Sequence, residues 1–268
     1  MIEDGAALFD PEGDHYIPTV YAQGPWDPGA QFGGSPAALL VTLVERVPTL
    51  VPMSIARFSA DLLRPVPMSP LTADVEVVRE GKVIQVVAFS LRAGGVEVTR
   101  GSALRIRQVG LSGSQLLDGR TSNPLPEMAR PVDEEIFPVA TPHGSRRAVE
   151  YLFEDVGGYF NDPAWVRLKT DVIRGEPASP IARLVYTSDL ASGVGMRGRG
   201  VTGINADLSV NVVRYPEGEW LCLEGRGWVS ANGIGQSQAT LSDHAGVVAA
   251  ISMARVILPS GALPHRET

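Results

Sequence analysis

The sequence predicts an α+β protein built from two copies of one unit, a helix followed by an antiparallel four-strand meander. Two observations carry this. Ala56-Arg57-Phe58-Ser59-Ala60-Asp61-Leu62-Leu63-Arg64 is echoed 150 residues later by Ala206-Asp207-Leu208-Ser209-Val210-Asn211-Val212-Val213-Arg214. Upstream, Ser35-Pro36-Ala37-Ala38-Leu39-Leu40-Val41 is echoed by Ser179-Pro180-Ile181-Ala182-Arg183-Leu184-Val185. Both matches run in the same order, as tandem duplication requires. The one strong charge mismatch in the strand pair, where the sign reverses, is Arg57 against Asp207.

In the first copy, residues 16–22 form a short strand candidate before a Gly/Pro-rich loop and Gly33-Gly34-Ser35-Pro36. Ser35 fits a helix N-cap and Pro36 the first helical position, where its missing N–H costs nothing. Leu39, Leu40, Leu43, Val44 and Val47 continue at helical spacing up to Pro48. Strand patterns fill 54–107: 55–63, 71–80, 83–91 and 96–106, separated by Arg64-Pro65-Val66-Pro67, Gly81-Lys82 and Ala93-Gly94-Gly95. A sheet with one apolar face can wrap such a helix.

Gly, Ser, Pro and charged residues dominate 110–147, which reads as a linker. The expected division is therefore 1–109, a linker 110–147, and 148–268. The second copy has strand candidates at 149–155 and 164–171 and a helix from Ser179-Pro180 to about Ser192. Four strands follow, 205–214, 219–229, 235–242 and 246–258, with turns at Pro216-Glu217-Gly218, Asn232-Gly233 and His244-Ala245-Gly246.

Composition narrows the function. The chain has 268 residues and a 44% apolar content, enough for a sizeable core. A net charge of −7 argues against non-specific nucleic-acid binding, which needs a basic face. Cys222 is the only cysteine, so no intrachain disulfide can form, which fits a reducing compartment. Residues 1–5 lack the apolar stretch of a signal peptide, and the apolar run 247–258 is too short to span a membrane. These features predict a soluble, cytoplasmic protein.

Several segments together resemble the double-hotdog acyl-CoA thioesterases, the thioesterase II type and its relatives. They are Phe32-Gly33-Gly34 before the first helix, and Arg64-Pro65-Val66-Pro67 leading to Val77-Val78-Arg79-Glu80-Gly81-Lys82. In the second copy they are Ile204-Asn205-Ala206-Asp207-Leu208-Ser209, Arg214 to Leu223, Gly233-Ile234-Gly235 and Leu241-Ser242-Asp243. The resemblance covers about residues 15–258 apart from the linker and implies two fused hotdogs, each a helix wrapped by a curved antiparallel sheet. It also implies an acyl-CoA substrate, hydrolysis by a directly attacking water, and no metal or redox cofactor. Fused hotdogs often associate further, so a homo-oligomer is open.

The same resemblance makes Asp207 the residue that positions or deprotonates the water and Ser230 its hydrogen-bond partner. The family's third residue, a glutamine on the last strand, falls here at Met253 or Ala254, neither of which can replace it. Gln236 or Gln238 on the preceding strand could substitute. From the residues themselves, Gly33, Gly34 and Ser35 open the first helix, where free amides and the helix dipole favour a developing oxyanion. Asp189, in the second helix, is a further ligand-site candidate. Arg64, Arg79, Arg197 and Arg199 are candidates for the coenzyme A phosphates.

Other motifs carry less. Gly193-Val194-Gly195-Met196-Arg197-Gly198 has dinucleotide-fingerprint spacing but follows a helix rather than a strand. No Gly-x-Ser-x-Gly elbow is present. His15, His143, His244 and His265 lack metal-ligand spacing, and none is placed for a hotdog dehydratase. Cys222 reads as a packed core thiol. The alternative to an enzyme is a non-catalytic acyl-CoA or hydrophobic-ligand-binding hotdog protein, which the missing glutamine favours.

Overall fold

The structure, a computed structural model, describes residues 3–111, 130–131, 144–153, 163–193 and 200–259. His143, His265, Arg197, Arg199, most of the expected linker and most of the 193–198 glycine motif lie outside them. The first half opens with a hairpin, β1 (Ala7–Glu12) and β2 (His15–Pro18). Helix α1 (Gly34–Glu45) follows, then the meander β3 (Met53–Leu62), β4 (Leu71–Arg79), β5 (Ile84–Ala93) and β6 (Val96–Arg107). The second half comprises β7 (Arg130–Pro131), α2 (Gly144–Ala148), β8 (Val149–Phe153), β9 (Ala164–Leu168) and β10 (Asp171–Ile173). It continues with α3 (Pro180–Ser188), a 3-10 turn Asp189–Gly193, β11 (Val201–Asn205), β12 (Asp207–Val212), β13 (Trp220–Val229), β14 (Ile234–Asp243) and β15 (Gly246–Pro259).

Among the described residues all fifteen strands join one sheet in the order β10-β1-β2-β4-β5-β6-β3-β12-β15-β14-β13-β9-β8-β7, with β11 beside β15. Its centre is the antiparallel pair β3–β12. Ser59 pairs with Ser209, their hydroxyls 3.0 Å apart, and these are repeat equivalents. A pseudo-twofold axis therefore passes through this pair. It sets Arg57 opposite Asn211 and Asp207 opposite Asp61, so the residues that differ in charge between the copies do not face each other.

Alternation sorts the strands into two faces. Phe58, Ala60, Leu208, Val210, Ile251 and Met253 point to the helix side and are buried. Phe58 stacks on Phe89 with ring centroids 4.9 Å apart. Almost all of α1 is buried, as befits a helix wrapped by a sheet. With α3 it shares one core cluster drawn from both halves. The architecture is a double hotdog.

Three local expectations need correction. Ser35 does not cap α1: the helix starts two residues earlier, with Gly33 as N-cap and no side-chain cap, and the buried Ser35 hydroxyl turns to the Ala22 carbonyl at 3.5 Å. Its counterpart Ser179 does cap α3, accepting from the Ala182 N–H, with Pro180 first in the helix. The strand expected at 205–214 is two strands joined by a bulge. Asn205 pairs with Arg255 but Ser209 with Ser252, one extra residue on the β11–β12 side. Finally, β1 and its parallel pairing with β10, which ties the second half to the edge of the first, were not foreseen.

The repeat also holds at Arg105 and Arg255, 5% and 2% exposed, each on a last strand and turned to the helix side. Arg105 donates to the Val44 and Val47 carbonyls at the end of α1, both at 2.7 Å, and to Gln85 Oε1 at 3.0 Å. Arg255 donates to the Ser192 carbonyl beyond α3 at 2.6 Å. Each guanidinium donates to carbonyls at the end of a helix, giving Val47 and Ser192 a donor and adding one to Val44, which also accepts from the Val47 N–H at 3.1 Å.

Candidate active site

Helices α1 and α3 lie antiparallel, so each C-terminus meets the other's N-terminus. At one end the Ser179 hydroxyl donates to Glu45 Oε2 at 2.6 Å, and at the other the Gly34 N–H donates to Asp189. Glu45 and Asp189 are the same distance from their repeated serines, Ser35 and Ser179, and so are equivalents. Their surroundings differ. The Glu45 carboxyl is raised by burial, which its Ser179 hydrogen bond and the Arg105 charge oppose. Asp189 is 2% exposed, and what opposes its burial is the Asn205 amide and the Gly34 N–H. Burial prevails and pushes its pKa up to about 7.

The strand bulge and the glycines build this end. Asn205, the last residue before the bulge, faces inward and its Nδ2 donates to Asp189 Oδ1. Gly33 leaves room for the carboxylate: a Cβ there would lie 2.9 Å from both carboxylate oxygens. Gly33 has an ordinary helical backbone, φ −59° and ψ −26°, so the space decides and not the conformation. Phe32 and Tyr186 close the side, ring centroids 5.2 Å apart. The arrangement puts a carboxylate able to exist in both protonation states near neutrality at the positive end of a buried helix. Gly33→Ala is expected to displace Asp189, costing about 1–3 kcal/mol in stability. It should also lower turnover by about 10²-fold through misplacement. Denaturant melts and steady-state kinetics check both.

The acyl-CoA thioesterase N-terminal domain matches residues 22–106, and the acyl-CoA thioesterase C-terminal domain matches residues 122–256. The chain belongs to the acyl-CoA thioesterase family. Similar solved structures agree on the fold. A candidate thioesterase of Novosphingobium aromaticivorans superposes with TM-score 0.73 at 21% identity, covering 93% of this chain and 98% of that one. A hot dog fold protein of Alicyclobacillus acidocaldarius gives 0.70 at 15% identity, over 98% of both chains. An acyl-CoA thioesterase II of Mycobacterium marinum gives 0.61 at 18%, over 97% and 98%. No curated protein matches the chain.

In this thioesterase-family chain the residues singled out from the sequence fall into two groups. Gly33, Gly34 and Asp189 meet at the α1 N-terminus, with Ser35 buried just behind. Asp207 lies across the strand from them, on the outer face, since the next residue, Leu208, is buried in the core. Its Oδ1 accepts from the Ala254 N–H at 2.5 Å and its Oδ2 from the Ser209 hydroxyl at 3.4 Å. Ala206 N–H donates to the Ala254 carbonyl, while the Ala206 carbonyl accepts from Leu62. Asp207 thus takes the ladder donor that the bulge leaves over.

Ser230 stands three strands from Asp207, roughly 14 Å at ordinary strand spacing. Its hydroxyl donates to Asn232 Oδ1 at 2.6 Å within the turn. Trp228, not Ser230, shares Asp207's transverse row, which runs Trp228, Gln236, Ala254, Asp207. Gln236 donates to the Ser252 hydroxyl at 2.9 Å on that outer face, whereas Met253 is fully buried. Arg64 donates to the Glu97 carbonyl at 2.9 Å, and Arg79 ends β4 in solvent, so neither is at the helix end. An open groove of about 510 Å³ on the outer face is lined by Asp61, Asp74, Glu76 and Glu97 with Arg100, an unfavourable setting for phosphates. Cys222 is buried. Among the described residues no His, Cys, Asp and Glu cluster could hold a metal, and no helix is long and apolar enough to cross a membrane.

Sequence reasoning kept Asp189 as a minor candidate and missed Asn205. A signal existed: a carboxylate at the end of a helix, directly after the three hydroxyl residues Tyr186, Thr187 and Ser188, and beside the glycine pair only in space.

Proposed function

We propose that this protein hydrolyses an acyl-CoA to the free acid and coenzyme A by direct attack of water at the N-terminal end of α1. Asp189 is the general base, and Asn205 and the Gly34 N–H hold its carboxylate. The observation that carries this reading is the environment of Asp189: buried, hydrogen-bonded by neutral donors, and poised near pH 7. Its pseudo-symmetric partner Glu45 has an arginine beside it, which supports one active end per chain. Membership of the acyl-CoA thioesterase family in both halves supports the substrate class. The chemistry needs no metal or redox cofactor. A soluble, cytoplasmic enzyme is the setting this reading assumes.

Free-thiol release from acyl-CoAs of graded chain length tests it. Turnover with at least one acyl group is expected. Tight binding of acyl-CoA with no thiol release at any length would instead favour a binding protein.

A second reading, with Asp207 as the base, is favoured by its row. Gln236 lies directly opposite Ala254, whose N–H holds Asp207 and whose methyl leaves the space above it open. Gln236 would then orient the water that the family's glutamine holds. Asp207→Asn separates the two. If Asp189 is the base, it weakens a charge-assisted bond at the bulge and costs about 1 kcal/mol in stability. Loss of turnover in Asp207→Asn, with turnover kept in Asp189→Asn, would establish the second reading.

A further inference from the structure

Tyr186 lies in α3 three residues before Asp189, so both side chains project from the same helix face. Its ring is fully buried, packed 5.2 Å from Phe32, the residue preceding Gly33-Gly34. Its backbone carbonyl presses on the same glycines, 2.6 Å from where a Gly34 Cβ would be. Yet among the described residues the Tyr186 hydroxyl has no hydrogen-bond partner. A buried polar group left unpaired is costly and uncommon, and phenols inside proteins ordinarily find an acceptor. Burial, with Asp189 and Tyr151 near enough to oppose a phenolate, keeps Tyr186 protonated and so a donor.

At the helix end the Ser35 N–H is taken by the Phe32 carbonyl at 2.9 Å. The Gly34 N–H, the expected oxyanion donor, is occupied by Asp189. A thioester carbonyl arriving beside Asp189 therefore meets a base whose neighbouring amide is already engaged. We propose that the Tyr186 hydroxyl donates a hydrogen bond to the carbonyl oxygen of the bound thioester.

This rests on the reading of the α1 N-terminus as the hydrolytic site. The step balances. Water oxygen bonds to the carbonyl carbon, its proton passes to the Asp189 carboxylate, and the carbonyl π pair moves to the oxygen held by Tyr186. Collapse re-forms the C=O bond and breaks the C–S bond. The departing thiolate takes the proton from Asp189, leaving carboxylic acid and coenzyme A. Tyr186 keeps its own proton throughout.

Tyr186→Phe removes only the hydroxyl and tests this, assayed by thiol release from the best acyl-CoA of the panel. The expected result is a fall in kcat of about 10²-fold, as for loss of one oxyanion donor. KM should stay within about twofold, since a bond made mainly in the transition state acts on kcat. The midpoint of the pH–rate profile should not move, and the melting temperature should hold or rise, because no hydrogen bond is lost. A kcat within about twofold of wild type would overturn the proposal, as would a variant that no longer folds, which would show that the hydroxyl has a structural partner. Asp189→Asn distinguishes the two failures. If it retains wild-type kcat, the site reading fails and the proposal with it. If it loses turnover while Tyr186→Phe does not, only the role of Tyr186 fails.

Discussion

Asp189→Asn is expected to lower kcat by about 10²–10⁴-fold, the usual contribution of a positioned general base, with little change in KM. The carboxamide has the same shape and can still accept from the Gly34 N–H and pair with a reoriented Asn205 amide, so the fold should persist. Stability supplies a second readout. The Asp189 pKa rises from 3.8 to about 7 on folding. The folded state thus holds a proton that the unfolded state releases between these values. The stabilisation from the bound proton is complete below about pH 4 and is lost as pH rises to about 7. Three pKa units set a ceiling of about 4 kcal/mol on that loss. Asp189→Asn removes the titration, so its stability relative to wild type should improve from pH 4 to pH 8. Urea denaturation of both proteins at several pH values measures this.

Arg105→Met is expected to be the most destabilising of the substitutions considered, by about 3–5 kcal/mol, as when one partner of a buried charged network is removed. The apolar side chain fills the space but removes the guanidinium donor from the Val47 carbonyl and one of the donors to the Val44 carbonyl. It also strips the Glu45 carboxyl of the Arg105 charge that opposes its burial, so that burial raises it further. At a few degrees per kcal/mol for a chain of this size, the melting temperature should fall by roughly 10 °C. Adding Glu45→Gln should recover part of this, since the carboxyl no longer needs a counter-charge, and the double-mutant cycle gives the coupling. Turnover per folded molecule should survive, because this is the opposite end of the helix pair from Asp189.

Much of the fold was legible because the meanders obey strong local rules. Alternation and Gly-containing turns marked β3 to β6 and β12 to β15 to within a few residues. The duplication was visible at the β3/β12 segments because strands paired across a pseudo-twofold must satisfy the same burial on both sides. What stayed hidden depends on non-local contact. The pairing of β1 with β10 joins residues far apart in sequence. The start of α1 at Gly34 contradicts its capping signal, because Ser35 is buried against Ala22 and cannot turn back on the helix. Arg105 and Arg255 were legible in principle, as charges in the apolar phase of two equivalent strands, 150 residues apart.

The site was legible in part. Glycine before a buried helix pointed to the α1 N-terminus. The bulge at Ala206 could not be read from alternation, and it decides which residue faces the helices. It turns Asn205 inward to Asp189 and Asp207 outward to Ala254. Ser230 looked well placed in sequence, but its hydroxyl belongs to the turn.

The most direct test is the pH dependence of kcat/KM for wild type, Asp189→Asn and Asp207→Asn on one acyl-CoA. The account predicts a wild-type rate that rises with pH and levels off above about pH 7, following Asp189. The same curve should persist in Asp207→Asn and be absent from a nearly inactive Asp189→Asn. A wild-type curve retained by Asp189→Asn and lost in Asp207→Asn would contradict it.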